Sequence, residues 1–429
     1  MKCIAIIMTV VLTLVLSTVA GASTVGPATT VSAANADEFH PRIAYNSTRD
    51  EYLVVWHQYW QFVVLGDAHR IVMGQRLDRY GRALGTPFMI SPAGDDRDRS
   101  KPDVAYVPDG DRYIVVYDLD FEGDGSDFDV RGRFIDWNGP NPSLTEFTVA
   151  QTTAHEWDPR VEYSTVSDSY LVTGWSEGAR AQVWGAVGAF GAPPTGSFVI
   201  AQDGIENRVD PDIAYQIVGD TFLVVYSNAV DILGTLVSPS GTLGSEFAIA
   251  AWPDTENEPS VATCGELQYM VAWQSLVAPD NTEIYARPVW FDGSMVDGHG
   301  PFRITDYAIG DSSPDLSCRD FNYLITYESQ YSNSSGPYGI FAREMRGASG
   351  TDITYAMQPE VVVQPVGMGD LGDVATRPAV IGGAASWLVV WEHDRTDDSY
   401  QDIRSAAVWQ IFGAGFEWGN LSEWSASVP

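Results

Sequence analysis

The sequence is poor in basic residues and rich in acidic ones, and this imbalance limits its partners. It contains 24 Lys and Arg against 57 Asp and Glu, a formal net charge of −33. A field of this sign repels nucleic acid and anionic lipid, and it favours solubility and the binding of cations. We therefore expect no nucleic-acid partner.

Helical periodicity is absent, and so are the motifs of common hydrolases. The sequence has no G-x-S-x-G, no H-E-x-x-H and no S-x-D-x-G-x-T-W box. Its six histidines are scattered and show no metal-ligand spacing. No nucleophile or zinc site is therefore indicated by motif.

Long apolar runs are also missing, apart from one stretch at the N-terminus. Lys2 precedes the apolar residues 4–16, and Ala20-Gly21-Ala22 matches a small-x-small cleavage site. This pattern predicts a signal peptide over residues 1–22 and a mature chain without a membrane span, secreted or at the cell surface. A periplasmic location and a retained N-terminal anchor are the alternatives.

What the chain does contain is one unit repeated seven times. Each copy has a proline, a short apolar strand, a turn and an apolar run that ends in an aromatic residue, as in HPRIAYNSTRDEYLVVW (40–56). The repeat prolines are spaced by about 48 to 64 residues, a period typical of propellers. They are Pro41, Pro102, Pro159, Pro211, Pro259, Pro314 and Pro378.

Each copy predicts four strands, A to D, and the seven copies predict one all-β domain over residues 23–410. The β-branched and aromatic residues run in short stretches bounded by turn residues. The last copy lacks strand D, whereas an unmatched strand of the D type, residues 28–33, precedes the first copy. We therefore expect a seven-bladed β-propeller of four-stranded antiparallel blades, closed by pairing of residues 28–33 with 402–408. An open solenoid is the alternative.

The repeat P-x-[VI]-A-Y…Y-L-V-V-W…I-x-G-x-x-[LV] resembles that of secreted bacterial seven-bladed β-propeller proteins. Copies 5 to 7 depart from it at Ala286, Ala342 and Ser405, where strand C loses its glycine. The resemblance implies a fold and an exported setting, and no reaction. Residues 411–429 form a separate tail whose Gly-Phe-Glu…Trp-Ser pattern resembles the endings of many secreted bacterial proteins.

The aromatic residue at the end of each strand B recurs at equivalent positions and therefore predicts packing between blades rather than a ligand platform. The same interpretation covers the tyrosines that follow strand A. The strand-B residues are Trp56, Tyr117, Trp175, Tyr226, Trp273, Tyr327 and Trp391, and the tyrosines are Tyr45, Tyr106, Tyr163 and Tyr215.

The residues that flank the repeat prolines vary in charge and form the candidate ligand site. Strand A lines the central channel of a propeller, so these residues are expected to meet near one mouth of it. The plainer interpretation of any single residue is that an Asp, Ser or Glu before the proline satisfies turn amides at the entrance of the strand. The candidates are His40, Arg42, Lys101, Asp103, Asp158, Arg160, Asp210, Asp212, Glu258, Asp315 and Arg377.

Two further sites are expected. Alternating carboxylates in DLDFEGDGSDFD (118–129) resemble a calcium loop, with an acidic hairpin as the alternative, and no other cofactor is indicated. Its ligands would be Asp118, Asp120, Glu122, Asp124 and Asp129. Cys264 and Cys318 lie nine residues before Trp273 and Tyr327, so we expect a disulfide between neighbouring blades.

Three functions fit this sequence. A non-catalytic binding or scaffolding propeller, with an extracellular glycan or protein at the channel mouth, is favoured. A glycoside hydrolase or polysaccharide lyase would use carboxylates of the same ring, and should show convergent buried acids with opposed pKa shifts. A structural surface protein should show no coherent pocket.

Overall fold

The computed structural model describes most of the chain after residue 22, and every regular element in that part is a β-strand. Described are residues 23–61, 68–92, 97–140 without 122, 124 and 126, 145–264, 267–296 without 280, 298–307, 310–330, 338–347, 355–365, 374–394 and 400–410. No helix able to cross a membrane occurs among them. The expected signal peptide and the tail 411–429 lie outside the described residues.

The strands form seven antiparallel sheets, six of which contain four strands that follow one another in sequence. The first three blades are β3 Glu38–Asn46, β4 Glu51–Gln61, β5 Ala68–Asp78 and β6 Ala83–Met89; β7 Arg99–Val107, β8 Arg112–Asp120, β9 Phe128–Asp136 and β10 Phe147–Ala150; and β11 Glu156–Ser164, β12 Ser169–Ser176, β13 Gln182–Ala189 and β14 Ser197–Ala201. The next three are β15 Val209–Gln216, β16 Thr221–Ser227, β17 Ile232–Val237 and β18 Phe247–Ala250; β19 Thr255–Thr263, β20 Gln268–Ala278, β21 Asn281–Trp290 and β22 Phe302–Arg303; and β23 Asp311–Arg319, β24 Asn322–Gln330, β25 Tyr338–Gly347 and β26 Tyr355–Gln364.

The seventh blade joins the two ends of the described chain. It contains β27 Val374–Gly382, β28 Trp387–Asp394 and β29 Gln401–Gln410, together with β1 Ser23–Val25 and β2 Thr29–Ser32. Both N-terminal strands pair with β29, and Thr29 lies opposite Ser405. The predicted closure of the ring by the N-terminal segment is therefore confirmed, as is the all-β fold of seven blades.

The strand-B aromatics pack between blades, as the sequence predicts. Six of the seven are fully buried, and Trp175 is partly buried. Trp56 of blade 1, for example, shares an apolar cluster with Leu388 and Val390 of blade 7. Burial of one such side chain stabilises the fold by roughly 1.5–3 kcal/mol. The blades are thus held by their mutual interfaces.

The tyrosines after strand A also pack, and each has a second role at the A–B turn. Their hydroxyls donate hydrogen bonds to an aspartate five residues later, and these aspartates have a positive φ between 43° and 54°. The pairs are Tyr45–Asp50, Tyr106–Asp111, Tyr163–Asp168 and Tyr215–Asp220, with distances from 2.9 to 3.1 Å. This bond fixes the left-handed turn that aspartate tolerates better than most residues.

A disulfide links blades 5 and 6. It joins Cys264 to Cys318, whose Cα atoms are 5.2 Å apart. This distance lies inside the usual range for a disulfide of about 4.4–6.8 Å. Adjacent inner strands are therefore close enough at this point to be bridged.

Candidate ligand site at the channel mouth

The inner strand of every blade begins with a β-bulge at the residue before the repeat proline. In blade 1 the register shifts between Phe39 and Arg42, so His40 and Pro41 together lie opposite one residue of β4, Trp56. The residue before the proline has a positive φ of 47° to 54° in all seven blades, and none of the seven is glycine. Bulges re-aim side chains, and strained residues of this kind cluster at functional sites. The bulges turn these side chains toward the channel.

The structure brings all eleven predicted site residues to the channel. Ten of them line a cavity of about 360 Å³ at the mouth, together with Ser260, Ser313 and repeat prolines. Asp103 is the exception, since it lines a second cavity of about 240 Å³ farther along the channel. Four residues line both cavities and form the boundary between them, which we call the floor of the mouth: Arg42, Arg160, Asp212 and Asp315.

The bulges are fixed by residues that the sequence interpretation missed. The backbone N–H of His40 donates to Glu392 Oε1 at 2.7 Å, and that of Arg377 donates to Glu328 Oε1 at 2.6 Å. The N–H of Lys101 donates to His57 Nδ1 at 3.3 Å. Each acceptor lies directly after a strand-B aromatic residue of the preceding blade. A polar residue follows that aromatic in every copy, and this recurrence is the signal that could have identified the acceptors.

The floor alternates in charge around part of the ring. Arg42 lies 3.8 Å from Asp315, and Arg160 lies 3.7 Å from Asp212. The acidic members also bind the next blade, because Asp212 accepts the N–H of Val261 and Asp315 that of Val380, both at 2.7 Å. The floor is thus an ionic layer that is part of the fold.

The rim of the mouth is divided into a basic and an acidic side. Arg377, His40 and Lys101 come from blades 7, 1 and 2, whereas Asp158, Asp210 and Glu258 come from blades 3, 4 and 5. Burial, the neighbouring His57 and nearby cations lower the pKa of His40 well below its usual value, so this imidazole is neutral. The permanent positive charge of the rim therefore resides on Arg377 and Lys101.

Two adjacent carboxyls of the acidic side differ in their pKa values. Burial would raise the pKa of Asp158, but Lys101 and Arg160 outweigh this effect and hold it below its usual value. Burial and the charges of Asp158 and Glu258 raise the pKa of Asp210 to about 6. At pH 5, Asp158 is ionised while Asp210 is largely protonated. Such a pair could supply a base and an acid.

The proposed calcium loop is only partly described. Asp120 uses both carboxylate oxygens to accept the N–H groups of Gly123 and Gly125, at 2.9 and 2.8 Å. Asp118 and Asp129 are buried, and Glu122 and Asp124 lie outside the described residues. In the described part of the chain no group of three His, Cys, Asp or Glu side chains is placed to hold a metal ion. Calcium binding stays a prediction.

Comparison with known proteins yields distant similarities in structure. No family model matches the sequence, and no curated protein is similar to it. The β-propeller domain of the Trilobed protease from Pyrococcus furiosus has 9% identity and a TM-score of 0.48, over 88% of this chain and 96% of that one. An α-L-arabinanase from Penicillium chrysogenum, solved with arabinobiose, has 11% identity and a TM-score of 0.47, over 90% and 98%. The NanB sialidase of Streptococcus pneumoniae has 9% identity and a TM-score of 0.47, over 87% and 68%. Similarity at this level carries no argument about function.

Proposed function

We propose that the protein is an exported binding propeller that holds a glycan at its channel mouth. The observation that carries the proposal is a cavity of about 360 Å³ lined by both carboxylates and guanidinium groups. A sugar hydroxyl donates one hydrogen bond and accepts others, so it can use both kinds of group at once. The volume lies at the lower end of ligand pockets, about 300–1,000 Å³, and suits the end of a glycan chain.

The cavity also weighs against a purely structural role, since such a protein needs no coherent pocket. Seven strained non-glycine residues support the binding role in the same way, because strain of this kind persists where the surroundings enforce a required geometry. Asp210 and Glu258 keep accessible surface toward the cavity, so a ligand in the cavity can reach both carboxyl groups.

Glycoside hydrolysis is the second candidate, favoured by the opposed pKa shifts of Asp158 and Asp210. Asp210 would protonate the leaving oxygen, and ionised Asp158 would act as base or nucleophile. In this role Lys101 and Arg160 keep Asp158 ionised.

A glycan-binding screen combined with a reducing-sugar assay on the mature chain tests both candidates. Lys101 is the one lysine after Lys2, so reductive ¹³C-methylation places a single lysine NMR reporter at the mouth. Binding that shifts this signal without sugar release supports the binding role. Sugar release that disappears in both Asp158→Asn and Asp210→Asn supports the hydrolase. No shift and no release with any glycan would leave the structural role.

A further inference from the structure

On the acidic side of the mouth, Asp158 is paired with a cation whereas, in the part of the chain that the structure describes, Asp210 and Glu258 are not. Lys101 Nζ lies 2.9 Å from Asp158, and Arg377 lies 3.1 Å from Glu392. Among the described residues, no donor lies within hydrogen-bond distance of Asp210. Within this described part of the chain, its neighbour Glu258 accepts from the N–H and hydroxyl of Ser313 alone, at 3.2 and 3.3 Å. Two carboxylates thus face the cavity without a basic side chain bound to either.

The two cations of the floor beneath them come from blades 1 and 3 and are already paired with Asp315 and Asp212. Blades 1 and 3 place Arg42 and Arg160 directly after the repeat proline, whereas blades 5 and 7 place Ser260 and Ala379 there. The Ser260 hydroxyl lies 3.2 Å from Asp212 Oδ2 and 3.1 Å from Asp315 Oδ1. A hydroxyl has one proton and can donate to only one of them at a time. One carboxylate oxygen is therefore left without this donor.

We propose that the glycan bound at the mouth carries a free, protonated amino group that is held by Asp210 and Glu258. This inference rests on the proposed function and specifies its ligand as a glycan rich in unacetylated amino sugars. An ammonium group supplies three donors, which the carboxylate oxygens of Asp210 and Glu258 can accept. The net charge of −33 attracts a cationic glycan and repels an anionic one. Sugar hydroxyls on the opposite side would accept hydrogen bonds from Arg377.

Calorimetry of the mature chain with two tetrasaccharides tests the inference. The probes are a β-1,4-linked glucosamine tetramer and the same tetramer fully N-acetylated, which differ in charge at the amino groups. Loss of a charge-assisted hydrogen bond costs about 10-fold in affinity or more, so the amine form should bind at least that much more tightly. Asp210→Asn and Glu258→Gln should each remove most of this preference. Asparagine is well suited to the positive φ of residue 210.

Asp306→Asn is the matched control, because Asp306 is an 81% exposed carboxylate outside the cavity lining. It should leave both affinities unchanged.

Several outcomes would overturn the inference. If Asp306→Asn loses as much of the preference for the amine tetramer as Asp210→Asn, the preference reflects attraction to the protein's overall charge. Equal binding of both tetramers, with a shifted Lys101 reporter, would also overturn it while the proposed glycan function stands. If neither tetramer nor any glycan of the screen binds, both proposals fail. Binding of a lysine tripeptide instead, lost in Asp210→Asn, would overturn the sugar assignment.

Discussion

Lys101 and Asp158 occupy the same position in neighbouring blades and form an ion pair with Nζ 2.9 Å from Oδ1. Both residues precede a repeat proline and both have a positive φ. The pair joins the basic side of the rim to its acidic side. Lys101 thus compensates the charge of Asp158, whereas no basic side chain of the described residues is paired with Asp210.

Replacement of Lys101 by Gln should raise the pKa of Asp158. Lys101 is the strongest of the charges that oppose the effect of burial there, so its loss leaves only Arg160 and weaker donors. The measurement is a ¹³C-carboxyl NMR titration. Arg112→Gln removes an ion pair with Asp136 instead and should leave Asp158 unchanged. An unaltered titration in Lys101→Gln would contradict this account of the rim.

Replacement of Gly26 by Ala should weaken closure of the ring. A Cβ atom at residue 26 would lie 2.5 Å from the Trp409 ring, so either this ring or the segment between β1 and β2 must shift away from β29. Overpacking of this kind costs about 1–3 kcal/mol. Thermal unfolding should show the loss, and size-exclusion chromatography should show association through the freed edge of β29. Gly300→Ala is the control, since nothing lies within 4 Å of a Cβ atom there. Equal stability of the two variants would argue against closure by this segment.

The stability of the protein should contain a component that falls as pH rises from about 4.5 to about 7. Burial raises the pKa of Glu38, Glu156, Glu256 and Asp311 to about 7, from 4.5 for Glu and 3.8 for Asp. The folded protein therefore binds more protons than the unfolded chain in this window, and stability declines with pH.

Glu256→Gln isolates one such group, because Glu256 is fully buried. The variant should be more stable than the wild type at pH 8 by about 1–3 kcal/mol, and close to it at pH 4.5. Urea unfolding at both pH values measures the difference. Glu177→Gln, at an exposed site, should show none. A destabilised Glu256→Gln at pH 8 would refute the sign of this effect.

Alkylation of the non-reduced mature protein should label neither Cys264 nor Cys318 in mass spectra. Their bond closes a loop with a sequence separation of 54 residues. In the chain-entropy account, a loop of this size contributes up to about 4 kcal/mol. The double variant Cys264→Ala, Cys318→Ala should therefore unfold at a lower urea concentration, and reduction should affect the wild type alone. Labelling of both thiols would contradict the disulfide.

Calcium should bind the loop at 118–129 weakly, with a Kd of about 10⁻⁴ to 10⁻³ M, as in extracellular modules. Calorimetry of the wild type against Asp129→Asn tests this directly. Asp120→Ala is the less specific variant, because Asp120 also caps the loop amides. Equal and negligible heats in all three proteins would identify the segment as an acidic hairpin.

The sequence predicts the blades well because each copy repeats the same period of strands, turns and buried aromatics. It also predicts the ring of flanking residues, since their position beside the proline places them on the innermost strand. The bulge and its positive φ could not be predicted, because residues such as Lys101, Glu258 and Arg377 do not favour this conformation. The acceptors Glu328, Glu392 and His57 were missed because they act across a blade boundary, between segments distant in sequence.

Closure through β2 and β29 makes the two ends of the described chain neighbours, with Thr29 and Ser405 joined by hydroxyl groups 2.8 Å apart although 376 residues separate them. During synthesis β2 stays unpaired until β29 has emerged from the ribosome. Contacts between residues so far apart in sequence form slowly. An incomplete chain therefore exposes an unpaired strand edge, which is prone to aggregation, at each end. The same proximity should make the molecule tolerant of circular permutation: with the old ends linked, a chain opened at another blade boundary would keep every contact of the ring.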